Sequence, residues 1–182
     1  MRLIVSIVIV AAILLALQLP ARGQIVAGAG VTYALPQNKF ADVNKGSLGG
    51  TAALFSRRYC NLWFGLRLDY TSFQEKDSIV KSYSDAFAFS GEARYFFSPP
   101  TELPLYLQAD ITVSGIDGKD SANTSGFGGA IGAGALLFYD KHCCDWFIDL
   151  NARYNAPNIF LRSDIRPVLP YFHFAASIYF KL

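Results

Sequence analysis

Seven ionisable side chains carry the chemistry this sequence could do: Arg67, Asp69, Glu92, Arg94, Asp110, Asp149 and Arg153. Each sits in a stretch where apolar residues alternate with polar or small ones, and each falls on the polar side of that alternation. Leu62, Phe64, Leu66, Leu68 and Tyr70 share one parity, whereas Gly65, Arg67 and Asp69 share the other. A β-strand sends successive side chains to opposite faces, so the charges would gather on one face of a sheet. Three arginines against four carboxylates is close to balance, and charges withdrawn from water must pair. Such a set can form a salt-bridged plug or line a narrow, gated polar conduit. Were such strands to close into a ring of about eight, its interior would be just wide enough for side chains, which favours the plug.

Other chemistry is thinly supplied. His142 falls in a short turn and His173 on the inward face of the last strand. Asp77 with Ser78, and Asp120 with Ser121, lie in long connections without a histidine beside them, so no Ser–His–Asp arrangement is visible. No enzyme activity is expected. The run Asp117-Gly118-Lys119-Asp120-Ser121-Ala122-Asn123 offers oxygens but misses the calcium-loop spacing. No metal or cofactor set is expected. Asn123-Thr124-Ser125 fits a glycosylation acceptor pattern. Cys60, Cys143 and Cys144 are expected on the short-turn rim, as free or locally paired thiols. A Cys60 bridge is the alternative; it would have to cross the barrel mouth, against a Cα limit of about 7 Å.

The charges need strands to position them, and eight stretches alternate with period two. They run over Ile25–Leu35, Leu48–Ser56, Leu62–Thr71, Ser84–Phe97, Pro104–Ser114, Phe127–Tyr139, Asp145–Tyr154 and Leu169–Leu182. In the fifth, Leu105, Leu107, Ala109, Ile111 and Val113 oppose Tyr106, Gln108, Asp110 and Thr112. In the sixth, Phe127, Ile131, Ala133, Ala135 and Leu137 oppose Gly128, Ala130, Gly132 and Gly134, small residues that suit a narrow interior. Tyr33, Tyr70, Tyr95, Tyr139, Trp146 and Tyr154 fall near strand ends on the apolar face, as a membrane girdle would. Short links near Arg57–Asn61, Ser98–Pro100 and Asp140–Cys144 alternate with long polar ones over Pro36–Ser47, Ser72–Tyr83, Gly115–Gly126 and Asn155–Pro167. The expected fold is all-β: an eight-stranded antiparallel up-and-down transmembrane barrel, with both termini at the short-turn, periplasmic rim and four long loops outside. A soluble barrel would turn its large apolar side chains inward instead.

Met1–Gly23 reads as a cleavable secretory signal. It has Arg2, an apolar run from Leu3 to Leu17, Pro20, and small residues before Gln24. An uncleaved anchor is the alternative, although roughly fifteen apolar residues is short of a helical span of about twenty. The full chain has Lys+Arg 16 and Asp+Glu 14; Arg2 and Arg22 leave with the signal, so residues 24–182 are formally neutral. A nucleic-acid partner needs a clustered basic excess, which is absent.

The ordered set of strands resembles the small eight-stranded outer-membrane barrel family, of OmpA-transmembrane-domain and OmpX type. The stretch Gly126-Phe127-Gly128-Gly129-Ala130-Ile131-Gly132-Ala133-Gly134-Ala135, followed by Phe147-Ile148-Asp149-Leu150-Asn151-Ala152-Arg153-Tyr154, is similar to that family's glycine-rich strand and the ending of its next strand. The resemblance implies a bacterial outer-membrane location. It also implies insertion by an assembly machinery that reads an aromatic-rich final strand. Phe174, Ile178 and Phe180 fit that signal, while Leu182 stands where an aromatic is usual. The expected role is structural or surface-interacting, with outer-membrane lipid and lipopolysaccharide around the barrel and an extracellular ligand at the long loops. Lys39, Asp42, Lys45, Glu75, Lys76, Asp77, Lys119 and Asp120 are available there. The alternative is a small porin-like channel for ions or solutes.

Overall fold

Alternating apolar and polar residues with strand-forming side chains pair into long ladders, and here the ladders close on themselves. The computed structural model describes residues 24–59, 61–76, 83–97, 104–118, 121–139, 145–157, 159 and 169–182. Eight of its strands form one closed barrel. They are β1 (Gln24–Pro36), β2 (Ser47–Tyr59), β3 (Leu62–Ser72), β4 (Tyr83–Phe96), β5 (Leu105–Gly118), β6 (Ser121–Leu137), β7 (Trp146–Ala156) and β8 (Tyr171–Lys181). Each pairs antiparallel with its chain neighbours, and β1 meets β8 from Val26↔Lys181 to Pro36↔Tyr171. An even strand count makes this closure antiparallel, and a closed ring has no edge of unpaired backbone groups, as hydrocarbon requires. No helix among the described residues is long and apolar enough to cross a membrane. The strands, of 11 to 17 residues, suffice, since a tilted spanning strand needs about 9–11.

The two faces separate by parity. Val31, Leu107, Ile111 and Ile131 are at least half exposed on the outside, while the arginines and carboxylates face in. Two corrections to the sequence reading follow from local backbone. The expected long loop over Gly115–Gly126 is mostly ladder, because Gly115, Ile116 and Gly118 pair with Ser125, Thr124 and Ser121. Asp117 and Asn123 therefore belong to strands of a protruding hairpin rather than to an open oxygen-rich loop. Tyr139 was expected on the outer girdle, but β6 ends at Leu137 and Phe138 takes φ 61°. That left-handed residue breaks the alternation: Phe138 stays 64% exposed, and Tyr139 turns inward to 7%. Tyr33, Tyr70, Tyr95 and Trp146 do lie exposed on the outer face, and Tyr154 is half-buried there.

The interior is also greasier than a lining of small residues and charges. At the short-turn end Phe55, Trp63, Phe96, Tyr106, Phe147 and Tyr179 form one buried cluster. Their rings are in contact, tilted in Trp63–Phe96 at 4.9 Å and Phe96–Tyr106 at 5.2 Å and stacked in Phe147–Tyr179 at 5.4 Å between centroids. At the other end Ala34, Phe40, Phe73, Ala86, Ile116, Leu169 and Tyr171 form a second. Phe40 reaches it from helix α1 (Asn38–Val43), which the connection after β1 folds over the barrel mouth. Asn38 opens α1 at φ 52°, a conformation asparagine tolerates better than most residues. A two-residue ladder, Asn44–Lys45 with Gln74–Glu75, ties that connection to the one after β3. Lys76 Nζ donates to the Ala41 carbonyl at 2.7 Å, and Gln37 N to the Pro170 carbonyl at 2.9 Å, which hold the cap down.

Candidate functional site

Between the two apolar layers lies a layer of charge. Steps of two along single strands put Arg67 with Asp69, Glu92 with Arg94, and Asp149 with Asn151 and Arg153 on the inner face. Register then brings the strands' contributions together: Glu92 lies opposite Asp110, and Arg153 opposite His173. All seven residues singled out by the alternation are buried, none more than 6% exposed.

The contacts resolve into two linked groups. In the first, Arg67 Nη2 meets Glu92 Oε2 at 2.6 Å, and Arg94 Nε donates to Glu92 Oε1 at 2.6 Å. Arg94 Nη2 also reaches Asp149 Oδ2 at 2.8 Å. Tyr106 donates its hydroxyl proton to Asp149 Oδ1 at 2.5 Å, and Asn151 Nδ2 donates to Oδ2 at 3.3 Å. The Arg94 guanidinium lies 4.1 Å from the Phe55 ring centroid and 4.5 Å from that of Tyr106, so the short-turn aromatic layer also faces a cation. In the second group Arg153 is the hub. Its Nη2 meets Asp69 Oδ2 at 2.6 Å and its Nη1 meets Asp110 Oδ2 at 3.2 Å. Arg153 Nε donates to His173 Nδ1 at 3.0 Å, which fixes that ring, and His173 Nε2 points toward Asp69 Oδ1 at 4.0 Å.

Low dielectric makes such pairs strong and makes an unpaired charge costly. Every arginine in the layer has at least one carboxylate within 2.6 Å. Chemically the arrangement can hold ions against ions, and it can hold protons. Among the described residues, no group of three or more His, Cys, Asp or Glu is placed to hold a metal ion.

The sequence reading set the partners that complete the layer on the inward face but did not count them among the site residues. Tyr106, Gln108 and Asn151 share parity with the charges, and that parity was the available signal. Trp63, Phe55, Phe96 and Phe147 share it too, so their inward direction was legible although their bulk argued for the outside. Phe40 and Phe73 lie off the alternation and left no periodic signal. Cys60, Cys143, Cys144, His142, Asp77, Ser78, Lys119, Asp120 and the segment Met1–Gly23 lie outside the described residues.

Comparison with known proteins agrees with this architecture. The fold is similar to that of Neisserial surface protein A, with TM-score 0.67 and 12% identity over 87% of this chain and 97% of that one. It is similar to Ail, the attachment invasion locus protein of Yersinia pestis, with TM-score 0.57 and 12% identity over 88% and 99%. The N-terminal barrel domain of Pseudomonas aeruginosa OprF gives TM-score 0.55 and 16% identity over 88% and 100%. No curated protein sequence matches. Residues 7–167 match the outer membrane protein beta-barrel domain family. The chain belongs to that family and is a β-barrel protein of the bacterial outer membrane.

Proposed function

We propose that the barrel serves as a closed structural scaffold that presents its long-loop face for surface interaction, and that it neither conducts solutes nor catalyses a reaction. The observation that carries this reading is the filled lumen. Ion pairs at 2.6–3.2 Å are enclosed between two apolar clusters, the outer of which includes Phe40 from the capping helix. A conduit needs a continuous polar path, and the aromatic layers interrupt it at both ends. His173, the one histidine within the described residues, is buried and already accepts from Arg153.

In this reading the short turns face the periplasm and Met1–Gly23 is an export signal removed after Gly23. The outward apolar belt meets phospholipid and lipopolysaccharide, and β8 is the strand offered to the assembly machinery. Lys39, Asp42 and Lys45 stand exposed on the connection that caps the mouth, where an external ligand would meet them first. The fold admits a bound polyanion in one relative: Ail of Yersinia pestis has been crystallised in complex with the heparin analogue sucrose octasulfate.

Planar-bilayer recording tests the closed lumen against the channel alternative. The refolded barrel should give no stepwise current above baseline. Regular, ohmic single-channel steps would overturn the reading.

A further inference from the structure

Among the described residues, the enclosed layer is short of one positive charge. Four carboxyl groups face three guanidiniums, and His173 adds nothing, because its Nδ1 accepts from Arg153 Nε and Nη2 at 3.0 and 2.9 Å. A ring nitrogen that accepts carries no proton, so that imidazole is neutral. Glu92 is held by two guanidiniums, each at 2.6 Å. Asp149 has Arg94 at 2.8 Å, with Tyr106 and Asn151 donating as well. Asp69 has Arg153 at 2.6 Å. Asp110 is served least: among the described residues its one ion pair is with Arg153 at 3.2 Å, a partner it shares with Asp69.

Register adds a second observation. Asp110 lies directly opposite Glu92 on the neighbouring strand, and like charges in facing positions destabilise a sheet. Asp110 Oδ1 is buried without a partner, and so is Gln108 Oε1 two residues away. The Gln108 amide stands 3.5 Å from Asp110 Oδ2, a long contact for an N–H donor. Turned over, the same amide would present Oε1, an acceptor, toward Asp110 instead of a donor, still at a distance long for a hydrogen bond.

We propose that Asp110 is a proton-binding site: its carboxyl group carries one proton in the folded barrel and so makes the ionic layer electrically neutral. The groups that face it are Glu92 from β4, Arg67 from β3, Arg153 from β7, with His173 of β8 behind that arginine, and Gln108 on β5 itself. Asp69, on β3, competes for Arg153. A proton fits where a metal cation does not, since the described residues supply no cluster of three ligating side chains. Binding forms one O–H bond on Asp110 and consumes no other reactant. The inference goes beyond the closed scaffold, because a closed lumen is compatible with four ionised carboxylates.

Infrared spectroscopy of the whole refolded barrel in detergent at neutral pH tests it. The carbonyl stretch of a protonated carboxyl, well separated from the carboxylate bands, should be present in the wild type and absent in Asp110→Asn. That variant should keep its heat-dependent gel shift and unfold at a urea concentration no lower than the wild type, whereas Asp149→Asn should unfold earlier. Three results would each overturn the proposal: no such band in the wild type, a band that survives Asp110→Asn, or loss of folding in Asp110→Asn comparable to Asp149→Asn. Bilayer current does not bear on any of them, so this proposal and the closed lumen fail separately.

Discussion

Arg94 holds the ionic layer together, and replacing it tests that role with the largest expected effect. Its guanidinium touches Glu92 at 2.6 Å and Asp149 at 2.8 Å and lies over Phe55 and Tyr106 at 4.1 and 4.5 Å. Arg94→Ala leaves Asp149 buried with only neutral donors and leaves Glu92 with Arg67 alone. Breaking one side of a buried pair costs about 3–5 kcal/mol. Losing the stacked cation adds up to about 2 kcal/mol where the site is desolvated. A loss of at least about 3 kcal/mol is therefore expected. Urea unfolding in lipid vesicles, followed by tryptophan fluorescence, reads it directly. Arg94→Met combined with Asp149→Asn should recover part of the loss, because neutral residues of similar volume can replace a buried pair at little cost. An Arg94→Ala shift below about 1 kcal/mol, with bilayer current still silent, would show that Arg94 does not hold the layer together, since that is what an exposed surface pair is worth.

Three further perturbations separate the parts of the interior. Tyr106→Phe removes a hydrogen bond to a charged acceptor and should cost about 1.5–3 kcal/mol in the same urea assay, while leaving the Arg94–Asp149 pair in place. Phe40→Ala should speed amide hydrogen exchange across α1 while the β1–β8 ladder stays protected, because Phe40 anchors the cap through Phe73 and through Tyr171, which sits at the very end of that ladder. Uniform exchange in both regions would contradict that. Gly134→Ala would press a methyl group onto the Tyr106 hydroxyl and the Leu150 carbonyl, so unfolding at lower urea is expected, with Gly115→Ala, where the added carbon meets open space, as the neutral control.

The barrel was legible because its signal is periodic. A one-residue slip would send Arg67, Glu92 and Asp149 into hydrocarbon, so parity fixes every strand's facing once the charges are placed. The seven charged residues were legible for the same reason. Their pairing was not: Arg153 reaches Asp69 across the lumen, and no spacing along the chain encodes that distance. Large apolar residues were ambiguous, because both hydrocarbon and the ends of a narrow lumen accept them. Leu62 and Trp63 are neighbours of similar hydrophobicity with opposite fates, and only counting from Arg67 tells them apart. The inward turn of Tyr139 depends on the left-handed Phe138, which residue preference argues against at that position. The cap formed by α1 and Phe40 depends on contacts with β8 and the β3–β4 connection, far away in sequence.

The sequence contains two tryptophans, and the structure places one on each face of the wall. Trp63 is 1% exposed in the lumen, and Trp146 is 41% exposed on the outer face. Single-tryptophan variants, Trp146→Phe and Trp63→Phe, reconstituted in bilayers with brominated acyl chains, ask which indole meets hydrocarbon. Strong quenching of Trp146 and little of Trp63 is expected. Equal quenching of both, or stronger quenching of Trp63, would contradict an ionic lumen enclosed by a lipid-facing apolar wall.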